Sequence, residues 1–267
     1  MVRSPRQTSP ITVLVTRAAA HSSQFAELLL AVGMEVIEMP ALEICPPSSW
    51  QPLDEAICHL KHYDWLVLTS ANAVAFFFER FEEIGHRADL GALKLAVVGK
   101  KTATVLKSHN LKPDFVPSNF VADALATDFP EPVAGQKFLF PRVENGGREI
   151  LVQLMVAAGA TVTEVPAYES RCPKELDMTV IAALQTQCID VITFASSKTV
   201  RHACQLFEQG LGTDWLRCLD NVAVASIGPK TSETCRQLLG RVDIEATEYT
   251  LDGLTQAMER WASASLA

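Results

Sequence analysis

Residues 32–43, VGMEVIEMPALE, return at 158–169 as AGATVTEVPAYE, with six of twelve positions identical. DWLVLTSANAV at 64–74 is echoed by DVITFASSKTV at 190–200, Gly99-Lys-Lys-Thr102 by Gly228-Pro-Lys-Thr231, and Thr16-Arg17 by Pro141-Arg142. Four matches in one order, at a nearly constant offset of 125–129 residues, describe an internal duplication. A chain of 267 residues has the length of two domains. The duplication makes each copy one α/β unit.

Within each copy, short apolar runs alternate with amphipathic segments of ten to sixteen residues. The runs are Ile11–Val15, Val36–Ile37, Trp65–Leu68, Leu95–Val98, Phe138–Phe140, Val162–Val165, Val191–Phe194 and Val222–Ala225. Between the first two, Phe25, Leu28, Leu29 and Val32 fall at helical spacing and Gly33 stops the helix. Continuous apolar strands separated by helices predict parallel sheets covered on both faces. The fold class is therefore α/β.

Composition narrows the function. The chain is 48% hydrophobic and 20% charged, which suits a globular protein. No run approaches the ~18 apolar residues of a membrane-spanning helix. Met1 to Pro10 carries Arg3 and Arg6 with no apolar segment behind them, and reads as a short disordered tail rather than a secretory leader. A net charge of −8 leaves no bulk basic footprint for nucleic acid. The seven cysteines include no C-x-x-C and read as small core residues of a reducing compartment, Cys188 before Ile189 among them. His59 and His62 read as a surface pair, since no third metal ligand is near in sequence. Neither G-x-G-x-x-G nor G-x-x-x-x-G-K-[ST] occurs. No cofactor or metal is expected.

In a two-lobed α/β protein the strand-to-helix turns at the carboxyl ends of the strands line the cleft. Three duplicated pairs of turns stand out. Thr69-Ser70-Ala71 and Ser196-Ser197 carry helix-cap residues, whose neighbouring N–H groups also hold anions. Gly99 and Gly228 let backbone approach a ligand, with Thr102 and Thr231 following. Arg17 and Arg142 end the first strand of each copy. Ordinary capping plus surface cations is the alternative reading of each turn. The copies differ at one informative place, where Leu42 is replaced by Tyr168. A duplicated frame becomes an asymmetric site when one position gains a proton donor, so Tyr168 is the first candidate for chemistry. The other two tyrosines are Tyr63, expected to pack beside a buried strand, and Tyr249, beside the last helix.

Taken together, Val13-Leu-Val-Thr-Arg17, Leu66-Val-Leu-Thr-Ser-Ala-Asn-Ala-Val74, Val97-Val-Gly-Lys-Lys-Thr-Ala-Thr104, Phe140-Pro-Arg142, Pro166-Ala-Tyr168, Ile192-Thr-Phe-Ala-Ser-Ser197 and Ile227-Gly-Pro-Lys-Thr231 resemble the uroporphyrinogen-III synthase family, from about Ile11 to Trp261. The resemblance implies two similar domains, 1–39 with 173–267 and 40–172, joined by two connecting strands near Glu38–Cys45 and Glu164–Cys172, with the active-site cleft between them. A plain tandem split near residue 131 is the alternative. The cysteines point to the cytoplasm or an equivalent reducing compartment, and the lack of a heptad or large exposed apolar stripe makes a monomer the default. The resemblance implies an enzyme that uses neither metal nor organic cofactor. Its substrate is the linear tetrapyrrole hydroxymethylbilane, and the upstream hydroxymethylbilane synthase is a candidate partner. The reaction loses the terminal hydroxyl as water, passes through a spiro intermediate and inverts ring D. Tyr168 would assist departure of the hydroxyl. Arg17, Thr69, Ser70, Ala71, Gly99, Thr102, Arg142, Ser196, Ser197, Gly228 and Thr231 would bind substrate. Lys100, Lys101, Lys198 and Lys230 depart from the pattern. The rival classes are a non-catalytic two-lobed binding or sensor protein, weakened by the absence of a helix-turn-helix extension, and a cofactor-using α/β enzyme, weakened by the missing glycine motifs.

Overall fold

The apolar runs form parallel strands in the computed structural model, which describes residues 10–17, 19–84, 90–117, 128–146 and 149–265. The tail expected over Met1 to Pro10 lies outside these residues apart from Pro10. The strands are β1 (Thr12–Val15), β2 (Glu35–Glu38), β3 (Glu43–Cys45), β4 (Trp65–Leu68), β5 (Lys94–Val97), β6 (Lys137–Val143), β7 (Thr161–Arg171), β8 (Val191–Phe194), β9 (Ala223–Ser226) and β10 (Ile244–Glu245). The helices are α1 (Ala19–Ala31), α2 (Gln51–Cys58), α3 (Ala71–Glu83), α4 (Lys100–Ser108), α5 (Glu149–Ala157), α6 (Met178–Gln185), α7 (Ser197–Leu211), α8 (Pro229–Leu239) and α9 (Leu251–Ser265). Among the described residues no helix is long and apolar enough to cross a membrane.

The chain divides into two compact units, Met1–Glu43 with Arg171–Ala267, and Ile44–Ser170. In the first unit the strand order is β10-β9-β8-β1-β2, all parallel. Strand alternation splits its core into two layers. Leu14, Ile192, Phe194 and Val224 pack under α6, α7 and α8. Val13, Val15, Val191, Ala223 and Ala225 face α1 and α9 through Phe25, Leu29, Leu254 and Met258. In the second unit the order is β3-β7-β6-β4-β5. Leu66, Leu68, Leu95, Val97 and Leu139 pack under α2, α3 and α4, while Trp65, Val67, Phe138 and Phe140 pack with Leu151 and Met155 of α5.

The duplication is written into the hydrogen bonds. Asp190 Oδ2 accepts the Thr12 N–H at 2.9 Å, and its counterpart Asp64 Oδ2 accepts the Lys137 N–H at 2.8 Å. Asp243 Oδ2 accepts from Val224 N, and Asp114 Oδ2 from Leu95 N, both at 2.8 Å. Four carboxylates thus staple neighbouring strands, two in each sheet, at the amino ends of the strands. The equivalent strands are β1 and β6, β2 and β7, β4 and β8, β5 and β9. Each sheet therefore joins the first strands of one copy to the later strands of the other.

Two expectations need correction. The first connecting strand, read as Glu38–Cys45, is interrupted: β2 stops at Glu38 and β3 starts at Glu43. The second is one strand of 11 residues. Both copies carry proline here, but β6 runs on beside β7 and absorbs Pro166 at a register shift, whereas β1 ends at Val15. The cysteines are not generally core residues. Cys235 is buried, Cys58 and Cys188 are exposed, and the rest are half-buried. Ile189 takes the inward position, and Cys188 turns outward beside the Thr186 hydroxyl, 3.2 Å away.

Candidate active site

A parallel sheet sends every strand-to-helix turn to one edge, and the crevice lies where the chain winds in opposite directions from adjacent strands. In the first sheet that switch falls between β1 and β8. Arg17 follows β1 there, and Ser196 follows β8. In the second it falls between β4 and β6, flanked by Ser70 after β4 and Arg142 near the end of β6. The duplicated residues thus occupy equivalent switch points.

The serines cap as their spacing predicts. Ser70 Oγ accepts the Ala73 N–H at 3.0 Å, and Ser196 Oγ accepts the Thr199 N–H at 3.2 Å. Thr69 and Ala71 flank the first cap and are half-buried. Ser197 donates to the Lys230 carbonyl at 2.9 Å and accepts from the Thr234 hydroxyl at 2.9 Å, so the turns opening α7 and α8 are tied together. Helices α4 and α8 begin at Gly99 and Gly228 with no side-chain cap. Their first turns carry the positive end of the helix dipole, and α8 opens on Pro229, which has no N–H to satisfy. Thr102 and Thr231 are turned inward, 4% and 5% exposed, and the Thr231 N–H already donates to the Gly228 carbonyl at 3.1 Å.

The two arginines have diverged. Arg142 ion-pairs with Glu164 and donates to the Gly146 carbonyl, beside a cavity of about 340 Å³. Arg17 Nε is buried and has no hydrogen-bond partner among the described residues. Burial holds the Arg17 guanidinium below its ordinary pKa. Glu38, the counterpart of Glu164, is exposed. One arginine is committed within its own unit, and the other keeps a donor in reserve.

Tyr168 is 8% exposed, in the core layer beneath α3. Its ring stacks on Phe76, with centroids 5.9 Å apart and planes at 24°. Its hydroxyl is 3.1 Å from Ser70 Oγ. Helix α3 thus fixes the phenol at both ends, by its cap and by its second turn. Phe76 leans on Trp50 at 6.4 Å, and the Arg80 guanidinium lies 5.0 Å over the Trp50 ring. Arg80 is held by a two-point contact with Asp54, 2.7 Å on each side, which raises its pKa through those hydrogen bonds. Phe76 escaped the sequence reading because α3 carries three successive phenylalanines, and only the fold shows which one meets Tyr168.

Tyr249 stands beside the last helix as expected, and its ring also lies against Gly228. The contact spans 21 residues and has no local signal. His202 was also silent in the sequence: Nδ1 lies 2.7 Å from the Ala41 carbonyl. Tyr63 packs half-buried against the core as expected, and His59 and His62 stack on the surface at 5.4 Å.

A sequence profile of the family described as "Uroporphyrinogen-III synthase HemD" matches residues 23–256. The chain is 53% identical over 251 residues to a uroporphyrinogen-III synthase of Synechococcus elongatus, covering 94% of this chain and 95% of the relative. Its fold is similar to a uroporphyrinogen III synthase of Thermus thermophilus, with TM-score 0.57, 18% identity and coverage of 95% and 99%. It is also similar to a uroporphyrinogen-III synthetase of Helicobacter pylori, with TM-score 0.58, 14% identity and coverage of 94% and 99%. At those identities the two structures speak to architecture alone.

Proposed function

Because the chain belongs to the uroporphyrinogen-III synthase family, whose activity is that of a cyclising lyase of porphyrin biosynthesis, we propose that it converts hydroxymethylbilane to uroporphyrinogen III with Tyr168 as the proton donor. The terminal hydroxyl takes a proton and leaves as water, giving an azafulvene cation. The substituted position of ring D attacks it, forming a spiro centre. The bond from that centre to the original bridge carbon breaks, and the bridge carbon is attacked by the free α-carbon of ring D. That carbon loses its proton as the pyrrole is restored, so ring D is inverted and the proton spent on releasing water is returned. The substrate also closes unaided to the uninverted isomer, so the protein must hold a conformation that favours attack at the substituted carbon.

The observation that carries this reading is the asymmetric phenol at a duplicated switch point, fixed by Ser70 and Phe76. With a reference pKa of about 10, a phenol stays protonated at neutral pH and can donate. The Ser70 oxygen already accepts from Ala73 N. If the Ser70 hydroxyl donates to Tyr168, the phenolic proton is free for the leaving group. In the first unit Arg17 and the first turn of α8, beside Ser196 and Ser197, and in the second unit the first turn of α4, are the groups offered to the substrate's carboxylates. Local positive groups of this kind let a protein of net charge −8 bind a polyanion.

The division of contacts after Glu43 and after Ser170 supports a discontinuous first domain, 1–39 with 173–267, around a continuous second one, 40–172. Seven free thiols support a reducing compartment. The protein then works as a cytoplasmic monomer, taking its substrate from hydroxymethylbilane synthase.

Incubation with hydroxymethylbilane and isomer analysis tests the reading. Uroporphyrinogen III above the uncatalysed blank is the expected result. Only uroporphyrinogen I, or no change from the blank, overturns it.

A further inference from the structure

Gly228 is glycine for a reason its own backbone does not supply. Its φ of 165° is extended and open to any residue. A Cβ at that position would lie 2.8 Å from Tyr249 Cδ1, 3.2 Å from Cγ and 3.3 Å from Cε1. Its counterpart Gly99 differs on both counts: φ is +99°, in the region that favours glycine, and a Cβ would meet only Thr102 Oγ1 at 3.9 Å. The same residue type is kept in the two copies by different constraints, and in the second copy the constraint is an aromatic ring.

Tyr249 is nevertheless 64% exposed. Its backbone is held on both sides. Thr250 N donates to the Glu248 carbonyl at 2.8 Å, and the Thr250 hydroxyl accepts the Gly253 N–H at 3.0 Å at the start of α9. Gly253 in turn presses on Glu248, where a Cβ would come within 2.2 Å of the carbonyl oxygen. Strand β10 is parallel to β9, so the loop after it emerges on the edge that carries Gly228, Ser196 and Arg17. The ring is anchored in place while most of it faces outward. Such a ring, fixed in advance and amphipathic, suits recognition of a flat heteroaromatic ligand because little order is lost on contact.

We propose that Tyr249 is a substrate-contacting residue whose exposed ring receives one pyrrole of the linear tetrapyrrole beside the α8 turn. The proposal rests on the synthase reading above. The ring presents a π-face to the pyrrole, and its hydroxyl is a donor for a carboxylate side chain of the same ring. Gly228 contributes by leaving room for Tyr249, not by an open backbone approach.

The test combines Tyr249→Ala, Tyr249→Phe, Gly228→Ala and the Tyr249→Ala/Gly228→Ala double variant, each assayed with hydroxymethylbilane and by thermal unfolding. Tyr249→Ala should raise KM roughly 3- to 10-fold, the range of one aromatic pair, with Tm unchanged. Tyr249→Phe should recover most of the loss. Gly228→Ala should raise KM to a similar extent by displacing the ring, and should add nothing in the Tyr249→Ala background. A wild-type KM in Tyr249→Ala, or additive effects in the double variant, overturns the proposal while the synthase reading stands. Failure of the wild-type protein to form uroporphyrinogen III overturns both.

Discussion

The Tyr168 hydroxyl lies 3.1 Å from Ser70 Oγ, the atom that caps α3 by accepting the Ala73 N–H. Catalytic candidate and helix cap therefore share one oxygen. Removing the phenol oxygen should leave the fold in place, because the ring still stacks on Phe76. Tyr168→Phe should slow uroporphyrinogen III formation by ~10²-fold, the low end of what one general acid contributes. Full activity in the isomer assay would remove Tyr168 from the chemistry. Ser70→Ala should slow the reaction as well and cost about 1 kcal/mol of stability from the lost cap.

The two matched arginines should separate in their effects. Arg142 is spent on Glu164 and the Gly146 carbonyl, whereas Arg17 Nε has no partner among the described residues. Arg17→Ala should raise KM by roughly 10-fold or more, as loss of a charge-assisted contact does. Arg142→Ala should act mainly on stability, by about 1 kcal/mol, read from urea unfolding. The reverse pattern would assign the substrate anion to the other copy.

His202 gives the stability a pH dependence. Burial lowers its pKa and Lys198 lowers it further, while the hydrogen bond to Ala41 O opposes them. The unfolded chain therefore takes up this proton first. The contribution is complete above the ordinary histidine value of about 6.5 and is lost as pH falls through the lower folded value. Urea midpoints measured from pH 7.5 down to 5 should fall less steeply in His202→Gln than in the wild type. Parallel slopes would contradict the assignment.

Thiol reactivity should follow burial rather than sequence neighbourhood. Burial pushes the Cys204 thiol up to about 11, and burial together with Cys204 pushes Cys235 up to about 12. Cys58 and Cys188 are exposed. Alkylation of the native protein at pH 8, mapped by mass spectrometry, should label Cys58 and Cys188 first and reach Cys204 and Cys235 only on unfolding. Early labelling of Cys235 would contradict the packing of α8.

The sequence foretold what local periodicity and spacing control. The strand runs, the helix after Val15 with its stop at Gly33, and the caps at Ser70 and Ser196 are all short-range features. What stayed hidden depends on residues far apart. Arg17 and Arg142 read alike until Glu164 proves to be engaged and Glu38 exposed. Gly99 and Gly228 read as equivalent until Tyr249 appears beside only one of them. The cysteines misled because an apolar neighbour says which strand is buried, not which face a given side chain takes.

The exchange of strands between the copies also sets an order of assembly. Val13 of β1 pairs with Val191 of β8, 178 positions downstream. At ribosomal rates of about 5–20 residues per second, β1 is made roughly 10–35 s before this neighbour exists. The strands of the second sheet, β3 to β7, are all made during that interval. The nascent amino-terminal strands meanwhile keep an open edge, so the interval between them and β8 is the stage of synthesis at which this chain is most exposed to mispairing.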